Sequence, residues 1–393
     1  MATAQTVDCT KNSAVLYLAF ELSEKTWKLG FTTALARKPR ERDMPSRDRV
    51  RLEEEIAAAK ERFELPADAP VFCCYEAGRD GFWLHRFLLA SGWENVIVDP
   101  SSIQVDRRQR RRKTDRLDVR KLLKMLIRHH TGEKDVWSIV RAPTVEEEDA
   151  RQLHRELDTL RAEQTGHINR IKGLLASQGV MMEVTRAFLV RLKHARLWDG
   201  TSLPTGLQNR LRREFARMQL LNGQIRALEK ERAQLVRAQD NNVAVQQTRK
   251  LLELKAIGIN SAWLYVHEIF AWRQIKNRRQ VGALVGLVGS PYQSGGQDQE
   301  QGISKAGNRR VRGMAIEIAW IWLRHQSQSA LARWYERRFA TGGKRLRRIG
   351  IVALARKLLV ALWRYLESGM PPEGAELADW KKKIYDNTLS LQS

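Results

Sequence analysis

The sequence predicts an α/β domain, then a long helical region, then a mostly helical and basic C-terminal domain. Three observations predict this order. Short apolar runs alternate with turn residues and one-sided helical stretches over the first ~130 residues. Residues 145–178 and 206–240 are long stretches dense in Arg, Glu, Leu and Gln. From about residue 248 the chain becomes compact in pattern, helical and rich in Lys and Arg. The expected boundaries are therefore 1–144 for the α/β domain, 145–245 for a helical or coiled-coil linker and dimerisation region, and 246–393 for the C-terminal domain.

The elements follow in order. Val15-Leu-Tyr-Leu-Ala-Phe-Glu-Leu22 is apolar and reads as a buried strand, interrupted by one charge at Glu21. Glu24-Lys25 reads as a tight turn, and Trp27–Thr32 as a second strand paired with the first. Residues 46–63 form a charged amphipathic helix. Val71–Glu76 is another apolar strand, ended by Ala77-Gly78; Arg79–Ala90 is helical; Asn95–Asp99 is a strand stopped by Pro100. Strand, helix, strand at this spacing is a parallel crossover, so the sheet is mixed. Asp118 opens a helix with Val119, Leu122, Leu123 and Leu126 on one stripe. In the middle region Leu207, Leu211, Phe215, Met218, Leu221, Ile225, Leu228 and Leu235 recur at spacings of three, four and seven. That pattern suits a bundle within one subunit or a dimerisation arm, and the arm is the favoured reading. Gly200, Pro204 and Gly206 mark a loop between the two long helices.

Composition narrows the partner. The chain has 393 residues, a net charge of +24, 43% hydrophobic residues and 12 Trp, so it is a globular protein with basic surfaces and an anionic polymer as partner. The Trp residues read as core side chains, with base-stacking platforms as the alternative. Three Cys (Cys9, Cys73, Cys74) make no disulfide framework; the adjacent Cys73 and Cys74 face opposite sides of a strand and read as core residues in a reducing cytosol. The N-terminus lacks a signal-peptide core, and no apolar run reaches the ~18 residues that span a bilayer. The expected location is cytoplasmic and nucleoid-associated, with no membrane partner.

The most informative stretch is Arg107, Arg108, Arg110, Arg111, Arg112 and Lys113, followed by Asp115 and Asp118. The bases would hold a nucleic-acid backbone. A polyanion repels carboxylates, so acids beside it point to a divalent metal that phosphates also bind. Residues three apart in a helix share a face. A capped, salt-bridged helix start accounts for the same two acids. Glu21 and Glu76 are acids in or at the end of apolar strands, and ligands of open α/β sheets gather at strand ends. Four carboxylates could converge and bind one or two Mg2+ ions. In the C-terminal domain, Leu252–Trp263 resembles a helix–hairpin–helix turn in which Gly258 lets backbone N–H groups reach a phosphate. Ser294-Gly-Gly is an exposed hydroxyl in a glycine-flanked loop; alone it is an ordinary loop, and as a nucleophile it needs a base, a metal or a lowered pKa. A polar loop follows, then Ser304 as an N-cap, and Lys305, Asn308, Arg309, Arg310 and Arg312 near a helix start that could clamp phosphates. Lys344, Arg345, Arg347 and Arg348 add a further basic stretch.

Ordered motifs along the chain resemble those of bacterial insertion-sequence transposases of the IS110 and IS1111 group. The matching segments are Glu21-Leu-Ser, Tyr75-Glu76-Ala-Gly78, Val98-Asp-Pro100, Lys113-Thr-Asp-Arg-Leu-Asp118, Asn169-Arg-Ile-Lys-Gly-Leu-Leu175, Gly286-Leu-Val, Pro291-Tyr-Gln-Ser-Gly295 and Gly302-Ile-Ser-Lys-Ala-Gly-Asn-Arg-Arg310. The resemblance implies a RuvC-like N-terminal domain on an RNase H-type sheet, with a Mg2+-binding tetrad at Glu21, Glu76, Asp115 and Asp118. It implies a C-terminal nucleophile at Ser294 that forms a phosphoserine link to DNA. It also implies donor and target DNA, an element-encoded guide RNA, and homodimers assembling into tetramers with active sites shared between subunits. The family pattern has Asp in the first strand where this chain has Glu21, one methylene longer.

Three activities compete: a Mg2+-dependent serine transposase, a junction-resolving nuclease that uses water, and a non-catalytic nucleic-acid scaffold. The Ser-Gly-Gly and Gly-Ile-Ser-Lys-Ala-Gly-Asn-Arg-Arg segments favour the first over the second. The strand-borne acids favour either enzyme over the scaffold.

Overall fold

A computed structural model describes residues 15–78, 80–103, 115–238, 241–294 and 297–381, without the side chains of residues 101, 115, 116, 290–294 and 297–301. The chain divides into two compact units, Met1–Pro143 and Thr144–Ser393. The run Arg107–Lys113, Cys9, Gly295 and Gly296 lie outside the described residues.

The first unit is a five-stranded mixed sheet in the order β3-β2-β1-β4-β5. Its strands are β1 (Leu16–Glu21), β2 (Thr26–Thr32), β3 (Arg40–Pro45), β4 (Val71–Glu76) and β5 (Glu94–Val98). β1, β2 and β3 run antiparallel in sequence, whereas β4 runs parallel to β1 and β5 parallel to β4. Helices α1 (Arg49–Arg62) and α2 (Trp83–Ala90) cover one face, where Leu52, Ile56, Leu84 and Leu88 pack on Leu16, Leu18, Phe20 and Cys73. Helix α3 (Asp115–His130) covers the other, where Val119, Leu122, Leu123 and Leu126 pack on Tyr17, Ala19, Phe72 and Cys74. Side chains alternate across a strand, so Cys73 and Cys74 enter opposite cores, and both are fully buried. Burial pushes both thiols above their ordinary range.

The second unit begins with α4 (Val145–Asp149), entered through a capping box at Thr144 and Glu147, and α5 (Gln152–Ala176). After α6 (Phe188–His194), α7 (Thr205–Arg237) returns antiparallel to α5: Arg161 bonds Glu229, Gln164 bonds Asn222, and His167 meets Glu214 at 2.6 Å. The apolar stripe expected on α7 is largely consumed here. Leu211, Phe215 and Met218 pack with Ile171 and Leu175, and Leu221 and Ile225 with Leu157 and Leu160. Leu235 remains exposed. The remaining elements are α8 (Val243–Leu252), α9 (Ile259–Tyr265), α10 (Arg278–Leu284), β6 (Gly289–Ser294), β7 (Gln297–Ile303), α11 (Arg309–His325), α12 (Ala330–Tyr335) and α13 (Lys344–Ser368). They surround one core that includes Trp263, Trp322, Leu354, Leu358 and Leu362. Most Trp positions expected in the core are buried or half-buried, but Trp198 and Trp320 are exposed. No helix among the described residues is long and apolar enough to cross a membrane.

Several elements differ from expectation. α2 starts at Trp83 and not at Arg79, because Gly81 takes a left-handed φ of 67° that no helix continues through. Glu21 ends β1 and does not interrupt it. The polar loop after Ser294 is a strand, β7, paired with β6. The N-cap of α11 is Asn308, whose side chain accepts from Val311 N at 3.1 Å; Ser304 instead continues the hairpin base, its N–H donating to Val288 O.

One contact sets the seat of α3. A β-carbon on Gly30 would stand 2.2 Å from Val119 Cγ1. Gly30→Ala should therefore push α3 away from the sheet and lower stability by ~1–3 kcal/mol, the usual cost of overpacking. Urea unfolding followed by tryptophan fluorescence reads this directly, and an unchanged midpoint would contradict it.

Candidate acidic site and serine hairpin

The acids are positioned by strand parity. Phe20 stands opposite Tyr75 in the parallel β1–β4 pair. Glu21 and Glu76 are the next residues, on neighbouring strands ~4.8 Å apart. Glu21 shares the parity of Tyr17 and Ala19, and Glu76 that of Phe72 and Cys74, so both lie on the face that α3 covers. Both line a cleft of about 300 Å³ beyond the strand ends, together with Glu24 and Asp80.

α3 runs opposite to β1 and β4. Its last residue, His130, meets the Tyr17 hydroxyl at 2.8 Å near the start of β1, and Leu122 O accepts from the Cys74 thiol at 4.0 Å. Its first turn therefore lies toward the strand ends that carry Glu21 and Glu76. Asp118 is in that turn, and its Oδ2 is buried with no hydrogen-bond partner. Position 115 is the first of the helix, one turn before Asp118; its side chain is not among those described. Among the described residues no group of three or more ligating side chains is close enough to hold a metal ion. Glu21 and Glu76 are thus brought together on adjacent strands, Asp118 is in the helical turn directed to that end of the sheet, and the three do not form a closed ligand set. The donor chemistry nonetheless fits a hard cation: carboxylate oxygens only, one of them buried and unpartnered.

Asp80 is a site residue that the sequence reading missed. Its carboxylate is buried in the same cleft and accepts from Arg47 Nη2 at 3.0 Å. The signal for it is an acid two residues past the glycine that ends β4.

In the second unit Ser294 is the last residue of β6 and pairs with Gln297, at the turn end of the hairpin. The opposite end is clasped by two glycine turns. Gly286 and Gly307 have φ of 66° and 81°, and a β-carbon on either would stand about 2 Å from a carbonyl oxygen of the other segment (2.0 Å to Ala306 O and 2.2 Å to Leu284 O). Asn308 N donates to Leu284 O and Lys305 N to Gly286 O. Arg312 Nη1 donates to Val285 O and Ala306 O at 2.8 and 3.2 Å. The Gly-Asn-Arg-Arg motif thus fixes the base of the hairpin. Asn308 and Arg312 make these internal bonds, Arg310 lies 3.5 Å from Asp158, and Lys305 and Arg309 are exposed.

The α8–α9 turn is present, with Gly258 as the N-cap of α9. Its φ is −99°, and its N–H donates to Ser261 Oγ; the left-handed residue is Ala256. The same turn is paired by the chain's own C-terminal segment, where Lys255 N donates to Glu376 O and Ala378 N to Glu253 O.

A buried polar cluster joins α5 to the hairpin clasp. Glu268 accepts from Arg155 at 2.7 and 3.0 Å and from Asn308 Nδ2 at 2.9 Å. Burial would raise its pKa, but the Arg155 bonds and the nearby Arg151 charge hold it below the ordinary range. His154 and His267 lie in the same cluster and are both lowered to about 4. Burial is the main cause in each; Asp158 opposes it at His154, and His154 adds to it at His267.

The profile of the family described as Transposase IS116/IS110/IS902 matches residues 248–353, which span the end of α8, the hairpin, its clasp and the start of α13. The Sinorhizobium fredii protein y4rJ, provisionally named a transposase, is 45% identical over 315 residues, covering 78% of this chain and 79% of that protein. The transposase for insertion sequence element IS1328 of Yersinia enterocolitica is 30% identical over 196 residues, 49% of this chain and 56% of that protein. The transposase for IS1111A of Coxiella burnetii is 27% identical over 187 residues, 47% and 50% of the two chains. These likenesses define the class of the molecule as a transposase. The chain belongs to the IS116/IS110/IS902 family of transposases.

The histidine cluster generates a pH prediction. An unfolded His titrates near ~6.5, whereas His154 and His267 titrate at about 4 when folded. Between these values the unfolded chain binds more protons. Stability should therefore fall as pH drops from ~6.5 to ~4, by a few kcal/mol in all, and stop falling on this account below ~4. Urea midpoints at pH 7 and pH 5 check it, with His267→Gln flattening the difference; equal midpoints in the native protein would contradict it.

Proposed function

We propose that the chain is a DNA transposase that exchanges a phosphodiester for a phosphoserine ester at Ser294, with Mg2+ held by Glu21, Glu76, Asp115 and Asp118. The observation that carries the metal reading is the placement of Glu21 beside Glu76 on the face and at the end of the sheet toward which α3 directs the buried, unpartnered Asp118 Oδ2. Adjacent carboxylates raise each other's energy when both are ionised. A divalent cation relieves that repulsion, and when bound it supplies charge stabilisation at a phosphate. Family membership and the mixed sheet support the RuvC-like reading of the first unit.

The serine contributes an oxygen nucleophile. Its Oγ–P bond forms as the P–O bond to the departing sugar hydroxyl breaks, so one phosphate ester replaces another and no nucleotide cofactor is required. The position of Ser294 at the turn end of a hairpin, with the base clasped by the Gly286 and Gly307 turns, supports this role: a nucleophile must be held but remain approachable. The exposed bases Lys305 and Arg309, with the run Arg107–Lys113, would bind backbone phosphates. A guide RNA and dimers assembling into tetramers complete the reading. The apolar stripe of α7 packs largely on α5 of the same chain, so a dimer contact would use other surface.

Ser294→Ala should remove the covalent protein–DNA adduct seen on denaturing gels with an element-junction substrate, a loss of at least ~10³-fold, while equilibrium DNA binding stays within about twofold. Cleavage without an adduct in the native protein would favour the water-using nuclease instead.

A further inference from the structure

A cleft in the second unit is a ligand site not described above, although Lys305 at its edge already has a proposed phosphate contact. It measures about 1220 Å³ and lies between α10, the base of the β6–β7 hairpin and α13. Besides Lys357, six cationic residues line it: Arg278 and Arg279 from α10, Lys305 after β7, and Arg348, Arg356 and Arg364 from α13. Glu373 is the one acid lining it among the described residues. None of the six has an ion pair among the described residues. A seventh cation, Lys357, lies 4.6 Å over the Trp334 ring.

The arrangement follows from one helix. Positions 349, 353, 356, 360 and 364 repeat at the spacing of a single α-helical face, and that face of α13 lines the cleft. The other face, with Leu354, Leu358 and Leu362, is buried in the core. A helix so anchored cannot rotate its arginines away from one another. Their summed positive potential on the cleft side attracts a polyanion.

Leu331, Val352 and Val360 line the cleft together with the cations. A lining that mixes apolar and cationic side chains suits a strand whose bases and sugars are uncovered as well as its phosphates. A duplex keeps its bases stacked inside and would leave the apolar lining facing water. We propose that this cleft holds a single nucleic-acid strand, DNA or RNA, alongside the serine hairpin. Gly289 and Ile303, which line the cleft, pair with each other at the hairpin base. Ser294 follows five residues along the same strand, ~17 Å away. The proposal rests on the transposase reading only for where the strand leads.

The test is fluorescence anisotropy on the full chain, with labelled DNA and RNA strands of about 12 nucleotides and the matching duplex. In Arg279→Gln/Arg356→Gln/Arg364→Gln the dissociation constant for single strands should rise at least about tenfold, and the logarithmic salt slope should shrink by about 2. Whichever of DNA and RNA loses more identifies the strand. Removing three exposed cations of the first unit, in Arg62→Gln/Lys124→Gln/Lys134→Gln, should change binding by no more than about twofold. Equal losses in the two triple variants would overturn the proposal. So would a duplex bound as tightly and with the same sensitivity, or polyglutamate competing as well as a DNA strand. The effect should be the same in a Ser294→Ala background. Because binding is read without chemistry, absence of an adduct in the native protein strikes the serine reading alone.

Discussion

Val119 of α3 occupies the space that a side chain on residue 30 would need: a β-carbon added to Gly30 would stand 2.2 Å from its Cγ1. That close approach fixes how α3 lies on the sheet, and much of the acidic site follows from it. With Val119 over β2 and Leu122 over Cys74, the helix runs opposite to β1 and β4, and its first turn is carried toward their carboxyl ends. Asp118 is in that turn, and its inner oxygen is buried without a partner. Parity does the rest, because the same alternation that buries Ala19 and Cys74 under α3 places Glu21 and Glu76 on the helix side. Packing and candidate chemistry are thus set by one helix–sheet contact.

The second unit applies the same logic to a hairpin. Two glycines at left-handed φ let the 283–288 and 304–308 segments interlock at backbone distance, and Arg312 caps two of the carbonyls. The polar β6–β7 ladder has little apolar sequence of its own, so its direction depends on that clasp. Glu268 extends the clasp into the helical hairpin through Asn308 on one side and Arg155 on the other. The helices that span the middle of the chain are therefore tied by buried charge to the segment that carries Ser294.

Much of this was legible in the sequence. The strands β1, β2, β4 and β5 announce themselves by apolar runs, α7 by a long periodic stripe, and α5 by a long stretch dense in Arg, Glu, Leu and Gln. β3 was not, because Arg40-Glu-Arg-Asp-Met-Pro45 is a charged edge strand with Met44 as its single buried side chain. α6 is short and lies in a stretch marked by glycine and proline. The β6–β7 ladder escaped because Pro291 and a run of Gln, Asp and Glu hide the strand pattern, and backbone pairing forms it. At the acidic site, the neighbouring strand-end positions of Glu21 and Glu76 follow from the apolar runs that they close, whereas the bond of Asp80 to Arg47 is invisible in the sequence because the two come from distant segments. The basic cleft was illegible for a similar reason. Its cations are spread from residue 278 to 364; Lys305 and Arg348 stand out in the sequence as basic stretches, but Arg278, Arg279, Arg356 and Arg364 read as ordinary helix surface until the fold brings them to one cleft.

The proposed divalent-metal site needs Asp118 together with the two strand-end glutamates. Titration calorimetry of Mg2+ into the full-length protein and into Asp118→Asn tests it most directly. Binding to the native protein should saturate and should weaken at least about tenfold when Asp118 loses its charge. Identical isotherms for the two proteins would contradict it.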